Sequence, residues 1–468
     1  MGKFILGTAL AGASLAIGSP QPAHAQAVAT PAQGAPAYET ASHGKPSQPG
    51  PPPITFHGIT VYGVIDVAGT WQSHGVPLNN NFAPGLEYVI SKNSRGSQFS
   101  VAPNALSQSK IGLKGNEHLI GDVSLVFQAE MHLVPTGFRL ANGLKSVVNN
   151  NGRALTAQSS NGDSSKDGQV FAGMAYFGLS SKRFGTLTFG RQWSLFLDNV
   201  VIYDPVVASH ALSVIGYQGA AQAGAGTEDA RLDRSIKYTI RPGGHARIIG
   251  MFQFGDEQAP TARAYGADVG YDLGNLSVDA TYMHVNDSVT SGALTAAQFL
   301  TLPHGSLAAS ISDNNAFGAF AKYTLPKAKL FAGYEHIEYE NPHHDITAGY
   351  RTIGGFLLGV VNNAAYPRHR ILQYAWVGAR YSLTDRLDLT AAYYRVQQNS
   401  YALAKCGNTS SPLCSGHLNA ETLLADYRLT RRFDVYTGAM YSRAANGLAS
   451  GFLHTSSVDP MVGVRLSF

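Results

Sequence analysis

Val123-Ser124-Leu125-Val126-Phe127-Gln128-Ala129-Glu130-Met131-His132 places an apolar residue at every odd position and, Val126 apart, a polar one at every even position. A period of two is the spacing of a β-strand whose two faces meet different surroundings. The face carrying Gln128, Glu130 and His132 has to stay wet, because a carboxylate without partners is too costly to bury. The same period appears in Ile59, Val61, Ile65, Val67 and Trp71, which alternate with Thr60, Tyr62, Asp66, Thr70 and Gln72, and it persists from Gly58 to Phe468. The chain therefore reads as all-β. Alternation alone does not separate a two-sheet sandwich, polar on its outer faces, from a barrel that is wet inside.

The connectors separate them. Short turns stand at 182–185, 242–244, 273–275, 326–328, 384–385 and 430–432. Long polar segments stand between them, at about 75–104, 135–168, 195–230, 287–314, 341–370, 401–417 and 445–457. Tight turns on one side and long loops on the other are the pattern of an antiparallel transmembrane β-barrel, with turns in the periplasm and loops outside. Sixteen strands are expected, near 59–74, 105–115, 122–134, 169–181, 185–194, 231–241, 245–255, 262–273, 275–286, 315–325, 328–340, 371–383, 386–400, 418–429, 433–444 and 458–468. An even number suits such a barrel, and sixteen leave an aqueous channel where about eight would be filled by side chains. Setting aside 57 leading residues leaves 468 − 57 = 411, and sixteen strands of about 10 to 12 residues take less than half of that. The third long loop is the candidate to fold inward and narrow the lumen.

Composition fits an exported barrel. The 34 Lys and Arg against 30 Asp and Glu give a formal charge of +4, too mild and too dispersed for a nucleic-acid partner. Only 14% of residues are charged, against about 25% in soluble proteins. Residues 1–25 have the layout of a secretory signal: Lys3, an apolar run from Phe4 to Gly18, and Ala23-His24-Ala25 as a small-x-small cleavage site. Residues 26–57, with Pro31, Pro36, Pro46, Pro49 and Pro51 to Pro53 among Ala, Gly, Ser and Gln, read as a disordered tail. Residues 58–468 are the barrel. Val462, Val464, Leu466 and Phe468 share one face of the last strand, an apolar end of the kind that outer-membrane assembly machinery favours.

Several segments, in order, resemble the Gram-negative trimeric general porins. They are Ile59-Thr60-Val61-Tyr62-Gly63-Val64-Ile65-Asp66, Lys110-Ile111-Gly112-Leu113-Lys114-Gly115, Ala175 to Ser181, Gly185 to Gln192 and Arg231 to Tyr238. Each motif is short; their order and spacing carry the resemblance over 58–468. It implies an outer-membrane homotrimer in contact with lipid and lipopolysaccharide, passing small hydrophilic solutes and ions without a cofactor. It also implies a constriction at which basic wall residues face acids of the third loop. By motif match the wall residues are Lys110, Arg191 and Arg231, and the loop acids Asp198 and Asp204. Alternation supports Lys110, which shares a face with Gly112 and Lys114, and Arg231, which shares one with Asp233, Ser235 and Lys237. Arg191 falls with Leu187 and Phe189 on the lipid side, so it reaches the lumen only if a bulge near Gly190 resets the register. Val64, Gly173 and Met174 stand where related chains have polar residues. Three wall cations imply a weak preference for anions.

Cys406 and Cys414, eight apart in the seventh long loop, suit a loop disulfide in an oxidising compartment. His343-His344-Asp345 reads as exposed loop residues rather than a metal clip, so no metal site is expected. Trp71, Trp193 and Trp376 fall near strand ends and suit interfacial belts. Arg234 has the parity of Leu232 and Ile236 and no evident role. No Gly-x-Ser-x-Gly or His-Glu-x-x-His motif points to an enzyme. A substrate-selective uptake channel remains the main alternative, ahead of an adhesin or a barrel enzyme.

Overall fold

Strand β1 (Ile59–Gly75) begins the sheet and also closes it. The sheet continues through β2, in two pieces (Gly96–Pro103 and Lys110–Ile120), β3 (Val123–Val134), β4 (Ala175–Ser181), β5 (Gly185–Trp193), β6 (Arg231–Ile240), β7 (Ala246–Gln253) and β8 (Arg263–Leu273). It proceeds through β9 (Leu276–Gly292), β10 (Ser306–Thr324), β11 (Ala328–Glu340), β12 (Arg370–Ser382), β13 (Leu387–Gln398), β14 (Gly416–Arg428), β15 (Phe433–Asn446) and β16 (Ser456–Ser467). Each wall strand pairs antiparallel with the next, and β16 returns to β1 with Ser467 opposite Val64 and Met461 opposite Thr70. The ring is a closed barrel of sixteen strands. This computed structural model describes residues 54–81, 88–141, 143–161, 169–215, 230–255, 263–349 and 355–468. The expected export signal and most of the expected tail lie outside the described residues.

The exterior shows why these strands close in this sense. Phe177, Val269, Phe317, Val377, Leu423 and Val462 are exposed on the outer face, where a lipid chain would cover them. Tyrosines flank this zone: Tyr271, Tyr323, Tyr381 and Tyr427 toward the short turns, and Tyr265, Tyr334, Tyr393 and Tyr441 toward the long loops. An apolar band between two aromatic girdles is the outer surface of a membrane-spanning barrel. No described helix is long and apolar enough to cross a membrane. The seam is sealed by Phe468, whose amide and carbonyl bond Gly63 at 3.0 and 2.9 Å. Its ring lies where a Cβ on Gly63 would stand, 2.4 Å away, so only glycine admits it.

Four expectations change. Ile54–Phe56, placed in the tail, form a short strand on Ile59–Val61 through the turn at His57 and Gly58. The second strand starts at Gly96 rather than 105 and is interrupted, because Asn104 to Ser109 fold inward. The Asp66 carboxylate accepts from the amides of Leu106 and Ser107 at 3.2 Å each, and Asn104 adopts a positive φ of 59°. The β9–β10 hairpin extends to Gly292 and Ser306, past the expected loop boundaries, and Leu357–Asn362 pairs parallel with Ser306 to Ser310 at its loop-side tip. Of the three tryptophans only Trp71 is exposed, at 42%; Trp193 and Trp376 are 1% and 2% exposed. Trp376 shares the parity of Leu372 and Tyr374, inside the barrel, where a loop covers it.

Candidate pore constriction

Loop 3 enters the lumen directly from β5. Ser194 caps helix α1 (Leu195–Tyr203) by accepting from the Leu197 amide at 3.1 Å. Seven of the nine helix residues are buried, and a helix apolar all round has to be enclosed. Here the barrel wall encloses it. Phe196 and Tyr203 meet Phe320 of β10 at ring-centroid separations of 6.2 and 5.7 Å. Asn199 Nδ2 donates to Asp268 at 2.6 Å and to Thr281 at 2.7 Å, and the Tyr203 hydroxyl donates to Asp279. Further on, the Trp376 indole donates to the Tyr203 carbonyl at 3.0 Å, Arg380 to the Pro205 carbonyl at 2.6 Å and Thr422 to the Leu212 carbonyl at 2.8 Å. At the far side, the Ala211 amide and Ser209 hydroxyl both donate to the carbonyl of Ala105, in the inward bulge of β2, at 2.9 and 3.0 Å. The loop crosses the lumen and lies against the arc from β8 to β14.

The opposite arc, β1 to β6, is polar. Lys110 of β2 pairs with Glu130 of β3 at 2.9 Å. Glu130 also accepts from the Tyr62 hydroxyl at 3.1 Å and meets the His132 ring at 3.0 Å. Gln128 donates to Tyr62 at 2.6 Å and accepts from Tyr176 at 3.1 Å. The Lys110 and Lys114 ammonium groups stand 5.9 and 5.4 Å from the Tyr62 ring centroid. Arg231, buried at the start of β6, lies beside His132 and His210. Burial, reinforced by Arg231 and His132, holds the loop residue His210 well below the usual imidazole range, so it stays neutral.

Arg191 lies where the register breaks. One residue of β5 faces Asp233 and Arg234 of β6 between the Gly190–Ser235 and Gln192–Leu232 pairs. Arg234, at φ 50°, is the bulged residue. Gly190 has φ 130°, and a Cβ there would fall 2.3 Å from the Ala175 carbonyl oxygen. The break takes Arg191 off the lipid-facing surface: it is 4% exposed, against 39% for Phe189. Its guanidinium donates to the carbonyls of Ala172 at 2.9 and 3.0 Å, Gly173 at 3.1 Å and Arg231 at 3.2 Å, and to Asp233 at 2.9 Å. Such a fork ties strands together.

The two loop acids take different positions. Asp198, in the first turn of α1, faces Lys237 of β6 at 2.5 Å; burial raises its carboxyl above the usual range, opposed by Lys237. Asp204 is fully buried. It accepts from the Tyr394 hydroxyl of β13 at 2.5 Å and from the Ala208 amide at 2.7 Å, and burial pushes its pKa up to about 6. Asp204 fastens the loop rather than presenting charge to the lumen. The structure thus brings Lys110 and Arg231 together around Glu130 and His132, and Asp198 with Lys237. Sequence reading missed Glu130 and Lys237 as partners: parity put both on the wet face, but only strand register shows which cation each carboxylate meets. It also missed Arg247, which pairs with Asp279 under the loop. Cys406 and Cys414 are joined by a disulfide. Among the described residues no group of three or more His, Cys, Asp or Glu could hold a metal.

A sixteen-stranded ring with a lipid-facing band, short turns, long loops and a third loop laid across its lumen is an outer-membrane β-barrel. The family model described as Gram-negative porin matches residues 8–447, and the chain belongs to that family. An outer membrane porin protein of Bordetella pertussis is 25% identical over 221 residues, 47% of this chain and 47% of its own; the match spans about half the length of that curated relative. An anion-selective porin from Comamonas acidovorans superposes with a TM-score of 0.57 at 16% identity, covering 88% of this chain and 99% of that one. The outer membrane channel DcaP of Acinetobacter baumannii does so with a TM-score of 0.51 at 14% identity, over 88% and 99%. These two likenesses concern the fold.

Proposed function

We propose that the protein is a passive diffusion channel for small hydrophilic solutes and ions, with a modest preference for anions. The supporting observation is the charge of the polar arc. Lys110, Lys114, Arg191, Arg231 and Lys237 stand against Asp66, Glu130, Asp233 and the loop acid Asp198, an excess of 5 − 4 = +1. A hydrated ion threading between low-dielectric walls feels such an excess more strongly than in bulk water. No chemical step is needed, and family and fold fit a channel rather than an enzyme.

The channel works as a homotrimer on this reading; a Vibrio cholerae neighbour, similar over 88% of this chain with a TM-score of 0.54, is described as a trimer form. Its surroundings are outer-membrane lipid and lipopolysaccharide. The assembly machinery would engage the strand ending in Phe468, whose closure of the seam fits that use. One cluster favours substrate-selective uptake as a second reading: Arg370 lies 5.3 and 5.8 Å from the ring centroids of Tyr339 and Tyr401, with Tyr366 stacked on Tyr339. Planar-bilayer recording in a salt gradient tests both. The proposal expects a linear current with a reversal potential on the anion side. A reversal potential on the cation side would overturn the anion preference, and saturable, solute-blocked current would favour selective uptake.

A further inference from the structure

At the loop ends of β11 to β13 the inner wall carries a guanidinium that no carboxylate claims. Arg370, the first residue of β12, shares its parity with Leu372, Tyr374 and Trp376, so it faces the lumen. Its strand partner is Tyr339 of β11. The guanidinium lies over the rings of Tyr339 and Tyr401, at 5.3 and 5.8 Å from their centroids. Tyr366 bridges those two rings at centroid separations of 5.9 and 6.0 Å. Among the described residues Arg370 has one hydrogen bond, from Nε to the Gln398 side-chain oxygen at 2.9 Å, and no ion pair. Neither Nη group has a partner there. The residue is half-buried rather than sealed, so that edge of the guanidinium meets the water of the channel mouth.

The acids of β11 are turned away or lie deeper. Glu338 and Glu340 flank Tyr339 in sequence and take the opposite face of the wall, where they meet the His369 ring at 2.5 and 3.5 Å. Glu335 is inward and fully buried, but four residues down the strand, or about 13 Å. The support of the arginine is fixed from two sides. Gln398 donates to the carbonyls of Pro412 and Cys414 at 2.8 and 2.9 Å, and the Tyr401 amide donates to the Leu413 carbonyl at 2.9 Å. All three carbonyls belong to the ring closed by the Cys406–Cys414 disulfide. On the other side Tyr366 and Asn341 exchange hydrogen bonds at 2.9 and 3.1 Å. A guanidinium packed on rings and tied through Nε has little ordering entropy left to lose, and its remaining edge is a pair of parallel N–H donors.

We propose that Arg370 is a docking point for the carboxylate of a small organic anion entering the channel, held ready by the disulfide-closed seventh loop. A planar fork with one positive charge matches a carboxylate. A phosphate dianion would ask for a second cation, whereas the groups acting most strongly on Arg370 are Tyr339, Tyr366, Tyr374 and Tyr401. Gln398 and Tyr401 are positioning residues: they aim the guanidinium and leave its outer edge to the solute. The inference rests on the channel reading, since solute has to reach the mouth, but not on the anion preference of the polar arc. It supplies the uptake reading of this cluster with a substrate class.

The test records the full-length protein in planar bilayers in dilute potassium chloride, with butyrate, uncharged butyramide and inorganic phosphate as probes on the loop side. Butyrate should reduce the wild-type current saturably, phosphate more weakly and butyramide not at all. R370Q should raise the half-block concentration of butyrate about ten-fold, the loss expected for a charge-assisted pair of hydrogen bonds. R370K keeps the charge without the fork and should also weaken block, by about five-fold. C406S/C414S, which leaves Arg370 in place but loosens its supports, should weaken it about three-fold. R395Q, on the outer face with exposed Tyr393, should be blocked as wild type is. Equal block of wild type and R370Q, equal block by butyramide or phosphate, or full block of R370K would overturn the proposal while leaving the channel reading intact. A protein without ionic current would overturn the channel reading instead. The docking point is then decided by phenylglyoxal modification of Arg370, read by peptide mass spectrometry: butyrate should slow it and butyramide should not, and equal rates would overturn the proposal.

Discussion

The two halves of the inner wall solve opposite problems with the same strand geometry. From β1 to β6 the inward residues are Tyr62, Lys110, Gln128, Glu130, Thr188 and Lys237, a surface that satisfies itself through hydrogen bonds and ion pairs and can border water. From β8 to β15 they include Met283, Phe320, Ile337, Trp376, Tyr394 and Met440, all buried. Left facing water, that arc would expose a large apolar surface; α1 and the chain after it cover it instead. The difference teaches that an inward-facing position in this barrel is not by itself a pore-lining position. Half of the lumen is a packed core, and the loop that narrows the channel is also the cover of that core.

Truncation of the apolar arc should have the largest effect. Trp376→Ala removes a buried indole and its hydrogen bond to the Tyr203 carbonyl, a loss of about 3–5 kcal/mol for such a side chain. The expected result is larger, noisier single-channel current from a loosened loop, with the strand signal in circular dichroism retained. A quiet channel of wild-type conductance would mean that the loop does not depend on that arc.

Asp204 makes the cover pH-dependent. Its pKa in the folded chain is about 6, above the ordinary 3.8, so the proton is held more tightly when the loop is docked. That stability is complete below about pH 3.8 and is lost as pH rises through about 6. The loss is on the order of 3 kcal/mol at one pKa unit per 1.36 kcal/mol. Current fluctuations should therefore grow between pH 4 and 7 in wild type, and Asp204→Ala should flatten the dependence.

Outside both arcs, removal of the Cys406–Cys414 bond should cost about 2–3 kcal/mol locally, from the entropy of a short closed loop. Limited proteolysis of Cys406→Ser/Cys414→Ser should show faster cleavage in the seventh loop at unchanged conductance. The smallest effect is expected in the polar arc. Glu130→Gln raises its excess from +1 to +2 and should increase the anion-to-cation permeability ratio by about two-fold, or about 0.4 kcal/mol. Lys110→Gln should shift it the other way.

Strand number, turn positions and the inward loop were legible in the sequence because period two and the lengths of connectors are local signals. The bulge at Gly190 was legible too, as the condition under which Arg191 leaves the lipid face. What was not legible depends on contacts between distant segments. Trp376 read as a belt residue because nothing near it in the chain announces that Tyr203, 173 positions earlier, will lie against it. Asp204 read as a constriction acid, since its partner Tyr394 is equally remote. The break in β2 was hidden for the same reason: Asp66, which holds Leu106 and Ser107 inward, sits on another strand.

Cysteine accessibility during bilayer recording tests the division of the lumen most directly. Both native cysteines are locked in a disulfide, so a new thiol reports alone. With Lys114→Cys on the polar arc and Met283→Cys on the apolar one, a charged, water-soluble thiol reagent should change the current through the first within seconds and leave the second unaltered. Rapid modification at Met283→Cys, or none at Lys114→Cys, would contradict a lumen that is water on one side and packed core on the other.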